Sequence, residues 1–97
     1  MNDLDITRLC AEAMGLTVVM QLGEWRFPRT QSEHSLYDPL HDDAQAMALV
    51  KRFAKVIVRR KGGDWSVNLD CARASDLNRA ICECVARMQQ AKGGGNG

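Results

Sequence analysis

Val56-Ile57-Val58-Arg59-Arg60-Lys61-Gly62-Gly63-Asp64-Trp65-Ser66-Val67-Asn68-Leu69 is the stretch on which the fold turns. Two runs rich in valine, isoleucine and tryptophan flank a Gly62-Gly63 pair, the composition of a two-residue hairpin turn. With that turn at the centre, Lys61 pairs with Asp64, Arg60 with Trp65, Val58 with Val67 and Val56 with Leu69. Val56, Val58, Trp65, Val67 and Leu69 then share one face. Lys55, Ile57 and Arg59 take the other, opposite Asp70, Asn68 and Ser66. Such cross-strand pairs contribute roughly 0.2–1 kcal/mol each, and a slip of one residue would bury the charged set.

Upstream of the hairpin, Asp42 with Gln45 three residues on makes a capping-box start for a helix. Ala46, Met47, Val50 and Phe53 form its apolar stripe, and Lys51 and Arg52 sit near its C-terminal end, where cations suit the helix dipole. Pro28 to Tyr37 reads as a polar loop. Leu16 to Leu22 reads as a strand with Leu16, Val18, Met20 and Leu22 on one face. Gly23 breaks its phase, so Glu24 to Phe27 either continues past a bulge or turns back as a partner strand. Before it, Asn2 or Asp3 caps a first helix carrying Ile6, Leu9, Cys10, Ala13 and Met14 at helical spacing, and Gly15 stops it.

Downstream, Ser75 caps a last helix with Asp76 in its first turn. Its stripe is Leu77, Ala80, Ile81, Cys84, Val85 and Met88, and Arg79, Glu83, Arg87 and Gln90 face water. The expected order is α-β(β)-α-β-β-α. That is an α/β (α+β) fold, with three helices packed on a mainly antiparallel sheet of three to four strands. Residues 1–90 form one sandwich domain, and 91–97 a flexible Gly-rich tail.

Composition narrows the function classes. Of 97 residues, 45% are hydrophobic and 26% charged, the balance of an ordinary globular domain. A net charge of +1 supplies no global field for nucleic acid or anionic lipid. No apolar run nears the roughly 20 residues of a membrane span, and the acidic Met1-Asn2-Asp3-Leu4-Asp5 start is unlike a secretory signal. A cytoplasmic protein is expected, without a membrane partner. There Cys10, Cys71, Cys82 and Cys84 stay reduced and pack as small hydrophobes.

Tyr37-Asp38-Pro39-Leu40, followed by Asp42-Asp43-Ala44-Gln45-Ala46, resembles the phage ABA-sandwich domain family of small phage proteins. The Trp-containing hairpin and Ala80-Ile81-Cys82 of the last helix are similar to the same family, so the likeness runs from about Leu4 to Met88. It implies a β-sheet between helical layers and a phage or prophage origin. It implies no catalytic residues.

The residues themselves nominate little chemistry. Cys82 and Cys84 point to different sides of a helix and cannot chelate one ion, and no C-x-x-C spacing exists for zinc. His34, His41, Asp38, Asp42 and Asp43 have the residue types of a metal cluster, but acids at a helix start belong to capping. There is no P-loop, no G-x-G-x-x-G and no G-x-S-x-G. No metal, no cofactor and no enzymatic activity are expected.

Surfaces are more suggestive. Lys51, Arg52, Lys55, Arg59, Arg60 and Lys61 are six of the thirteen cations. They form either a solvated hairpin face or an anion-binding one. Trp25-Arg26-Phe27-Pro28-Arg29 joins the aromatic and arginine types enriched in binding hot spots. Trp65 is expected in the core. The expected partner-binding residues are therefore Trp25, Arg26, Arg29, Lys55, Arg59 and Lys61.

The leading expectation, implied by the resemblance, is a non-enzymatic phage accessory protein. It would inhibit a host antiviral protein or ribonucleoprotein such as a CRISPR effector complex, inside the host cytoplasm. One alternative is an oligomeric sponge for a nucleotide second messenger, with Arg26, Arg29, Arg59 and Arg60 converging on the ligand. Another is a small nucleic-acid binder using the basic face. Trp25 and Ile57 would mark the interface of a possible homodimer.

Overall fold

Asn2 starts the first helix: its side-chain Oδ1 accepts the Asp5 amide at 2.8 Å, and its extended backbone leads into α1 (Asp3–Ala13). The computed structural model describes residues 2–28, 36–53, 57–59, 61–68 and 71–94. After α1 follow β1 (Val19–Gln21), β2 (Glu24–Arg26), α2 (Asp43–Phe53), β3 (Ile57–Arg59), β4 (Trp65–Val67), β5 (Ala72–Ala74) and α3 (Leu77–Gly94). The fold is α+β, with three helices as expected. The sheet differs from expectation. Five short strands divide into an antiparallel β1-β2 pair and an antiparallel β3-β4-β5 sheet.

The hairpin register also differs, by one residue. Arg59 pairs with Trp65, Val58 with Ser66 and Ile57 with Val67, so the connection is five residues long rather than the Gly62-Gly63 pair alone. Aligned this way, Ile57 lies opposite fully buried Val67 and packs on the core, where the expected register left it facing water. Burying an isoleucine is worth roughly 1.5–3 kcal/mol when complete. A cross-strand polar pair is worth less than 1 kcal/mol, so the apolar term sets the alignment. β5 continues it, with Val67 opposite Ala72 and Trp65 opposite Ala74. The expected pairs of Val56, Leu69, Lys55, Asp70 and Arg60 involve positions outside the described residues.

The expected stripes of α2 and α3 are mostly buried or packed on the core, with Met47 and Met88 the exceptions. In α2 the buried residues are Ala46 and Leu49, whereas Met47 is 50% exposed. In α3, Ala80, Ile81, Cys82, Cys84, Val85 and Ala86 are all buried, and Met88 is partly exposed. The buried face of α3 is broad because α1, α2, β4 and β5 all pack on this one helix. Its small residues at 80, 82, 84 and 86 let those neighbours approach closely. The start of α3 shifts too: Asp76, not Ser75, accepts the Arg79 amide at 3.0 Å and is the capping side chain. The helix runs to Gly94, so the segment expected as a tail from 91 begins as helix.

Candidate functional site

The β1-β2 hairpin decides where a site can lie. Met20 pairs with Trp25 and Gln21 with Glu24, so the chain turns back at Leu22-Gly23 rather than continuing past a bulge. Both turn residues have positive φ, 52° and 76°, as a primed two-residue turn requires. Glycine adopts this freely, but for leucine the left-handed region costs about 1–2 kcal/mol. Leu22 is nonetheless 93% exposed and Met20 is partly exposed beside it. An apolar side chain is thus held out into solvent at the tip of a strained turn.

Trp25 anchors the hairpin to α1. Its Nε1 donates to the Leu4 carbonyl at 2.9 Å, and β2 packs against α1. The other edge of β2 is extended by the returning chain: Arg26 bridges Leu36, and the Tyr37 amide donates to the Trp25 carbonyl at 2.9 Å. Phe27 meets the buried Tyr37 ring edge-on, 5.8 Å between centroids. Burial, with the Cys10 and Cys82 thiols second, pushes the Tyr37 hydroxyl pKa well above its ordinary value.

Gln45 braces the opposite side. Its side-chain oxygen accepts the Asp38 amide at 2.6 Å, and its nitrogen donates to the Leu36 carbonyl at 3.0 Å. The Gln45 amide in turn donates to Asp42 Oδ1 at 3.1 Å. Half of the expected capping box therefore exists, and its glutamine serves the preceding loop instead of the cap backbone. The His41 and Asp42 amides both donate to the Asp38 carbonyl, tightening the turn into α2, and His41 Nδ1 lies 2.8 Å from Asp38 Oδ2.

Between these two supports lies a cleft of about 150 Å³. Leu4, Trp25, Leu36, Tyr37 and Leu40 supply its apolar lining, and Asp3, Glu24, Asp38 and His41 its charged or ionisable one. The cleft opens beside broader depressions lined by Asp42, Asp43 and Asp76, with Arg79. Among the described residues, each lining carboxylate has a partner: Asp3 Oδ1 takes Arg79 at 2.9 Å, Glu24 Oε2 takes Arg26 at 2.7 Å, and Asp38 Oδ2 takes His41.

Of the expected partner-binding residues, Trp25 forms a wall of this cleft and Arg26 is engaged by Glu24. Arg59 lies in the other sheet with its guanidinium 5.7 Å from the Trp65 ring centroid, and Lys61 is exposed in the loop after it. Arg29 and Lys55, like Arg60 and His34, lie outside the described residues. The expected surface is thus split between a sheet packed on α1 and a sheet packed on α3. Trp65 is half-buried against the core. Leu4, Leu36, Tyr37, Leu40 and Gln45 were not nominated as site residues, because they come from separate segments with no shared spacing.

Asp43 and the four cysteines have structural partners. Asp43 Oδ1 accepts from Asn78 Nδ2 at 2.8 Å, tying α2 to α3. Cys10 Sγ lies 3.4 Å from the Cys82 carbonyl, and Cys71 Sγ lies 3.6 Å from the Cys84 carbonyl, so Cys82 and Cys84 face different neighbours. The adjacent Cys10 thiol, and burial after it, hold the Cys82 thiol pKa far above its ordinary value. Burial, with the Cys71 thiol second, pushes that of Cys84 up to about 12. Among the described residues no three of His, Cys, Asp and Glu are placed to hold a metal ion, and no helix is long and apolar enough to cross a membrane.

Compared with protein-family models, curated proteins and solved structures, the chain finds no match. The likeness to the phage ABA-sandwich domain therefore rests on the short motifs quoted above.

Proposed function

We propose that the protein acts by binding a macromolecular partner, not by catalysis, and that the β1-β2 hairpin is the part that binds. One observation carries this reading. Leu22 occupies a left-handed turn position that glycine or asparagine would fill more favourably, and presents its side chain fully to solvent. Local strain of this kind clusters where function demands it. Trp25, three residues on, adds the aromatic type enriched among residues that dominate binding energy.

The partner class follows from the resemblance to small phage proteins. The protein is an accessory factor of a phage or prophage, working in the host cytoplasm against an antiviral protein or ribonucleoprotein, a CRISPR effector complex foremost. Occupying a working surface of that complex is sufficient for inhibition. The nucleotide-sponge reading has Arg26, Arg29, Arg59 and Arg60 converge in a pocket between protomers, and Arg29 and Arg60 lie outside the described residues.

The test is plaque formation by a targeted phage on a host with active CRISPR interference. Expression of the wild-type chain restores plaques, and a Leu22→Asn, Trp25→Ala double variant that remains folded does not. No restoration by the wild-type chain in hosts carrying the different effector types overturns the assignment of target. Full restoration by the folded double variant overturns the choice of hairpin.

A further inference from the structure

We propose that the cleft walled by Trp25 receives an arginine side chain presented by the protein partner. The inference rests on the reading of the chain as a binding protein and names what its cleft takes. Size comes first. At about 150 Å³ the cleft is well below the roughly 300–1,000 Å³ of pockets that enclose drug-sized ligands, and its own volume suits one long side chain.

The lining then selects the side chain. Leu4, Leu40 and the Trp25 indole offer apolar and aromatic surface to an aliphatic stem and a flat cationic head. Asp3, Glu24 and Asp38 lie around the same space. Among the described residues their ion pairs use Oδ1 of Asp3, Oε2 of Glu24 and Oδ2 of Asp38, and we assign their other oxygens to donors from outside. A guanidinium carries five N–H donors in a plane and stacks on aromatic rings, so it can meet several of these acceptors while lying on the indole. A lysine ammonium supplies the charge but not the plane. The chain contains this pairing once already, in Arg59 over Trp65.

Charge complementarity fixes the sign. The depressions that adjoin the cleft add Asp42, Asp43 and Asp76, and among the described residues these acids outnumber Arg26 and Arg79, so the approach to Trp25 is acidic there on a chain whose net charge is +1. Such a field steers a basic segment of a partner and repels nucleic acid from this face.

The experiment uses the full ¹⁵N-labelled chain and follows its two indole N–H resonances, assigned with Trp25→Phe. The probe is the blocked peptide acetyl-Gly-Arg-Gly-amide, with the citrulline peptide as its uncharged isostere. Saturable movement of the Trp25 resonance is expected, with the Trp65 resonance still. Binding should weaken at least about tenfold for citrulline, which loses the charge-assisted hydrogen bonds. It should weaken several-fold in Glu24→Gln, an exposed position, with an otherwise unchanged amide spectrum as the check that the variant is folded. Equal response to citrulline, or no saturable response, overturns the proposal. A Trp25 shift that grows with protein concentration alone would place a second copy in the cleft, and overturns it too. The peptide reports on the isolated chain, so its failure leaves the cellular reading standing, and failure of plaque restoration leaves the peptide result standing.

Discussion

The indole nitrogen of Trp25 and the carbonyl of Leu4, 2.9 Å apart, join the β1-β2 hairpin to the first turn of α1. Trp25→Phe keeps the aromatic wall and removes this bond, at an expected cost of about 1 kcal/mol. Trp25→Ala also empties part of the cleft wall and should cost more. Urea denaturation measures both, and equal stability of all three proteins would mean that the bond contributes nothing net.

At the hairpin tip the same comparison runs the other way. Leu22→Asn places a residue that tolerates the left-handed region at φ 52° and should stabilise the fold by about 1 kcal/mol. Partner binding should fall, because the exposed apolar contact is lost. A stabilised variant with undiminished activity would show the leucine to be idle.

Leu49 and Met47 test which residues of α2 complete its buried face. Leu49 is fully buried, so Leu49→Ala should cost roughly 2–5 kcal/mol. Met47→Ala, at a half-exposed position, should change stability by less than about 0.5 kcal/mol. Midpoints of thermal unfolding would separate the two, and the reverse order would contradict the packing described.

Alkaline conditions should destabilise the protein through its thiols. The Cys84 pKa rises from 9.0 to about 12 on folding, and that of Cys82 is raised as well. A raised folded-state value means that the unfolded chain loses its proton first as pH increases. This contribution is therefore complete below about pH 9 and declines above it, through the folded-state values. Tyr37 acts in the same direction from its ordinary value of 10.0 upward. Denaturation from pH 7 to 11 under reducing conditions should show little loss below 9 and a steepening loss beyond. Cys84→Ala should soften that slope, and an unchanged slope would remove Cys84 from the account.

Much of this architecture is legible in the amino-acid order, and the exceptions share a cause. Caps are local, so Asn2 and the Asp42–Gln45 contact can be read directly, although Gln45 turns its side chain to Leu36 and Asp38. The hairpin is legible as an element but not in its alignment, because the Gly62-Gly63 signal competes with the burial of Ile57, which only the assembled core decides. β5 is Ala-Arg-Ala, without β-branched or aromatic residues, and becomes a strand only because β4 offers an edge. Cys82 and Ala86 look peripheral on a single stripe and are buried because α3 is enclosed by several elements. Trp25 was visible as a functional candidate, but its cleft draws on residues 3 to 41 with no periodicity to announce it.

The enclosure of α3 has a consequence for biogenesis. Cys10 on α1 meets Cys82 on α3 across 72 positions of sequence, and α2 and the three-stranded sheet pack on the same late helix. Contacts of such long sequence separation slow folding, because the loop must close before any burial compensates. While the ribosome is still reading residues before Leu77, the apolar faces of α1, α2 and the sheet have no common surface to cover them. The nascent chain must therefore carry those faces open until α3 has been made, and a message truncated ahead of α3 would yield a product for the proteases rather than a weakened protein.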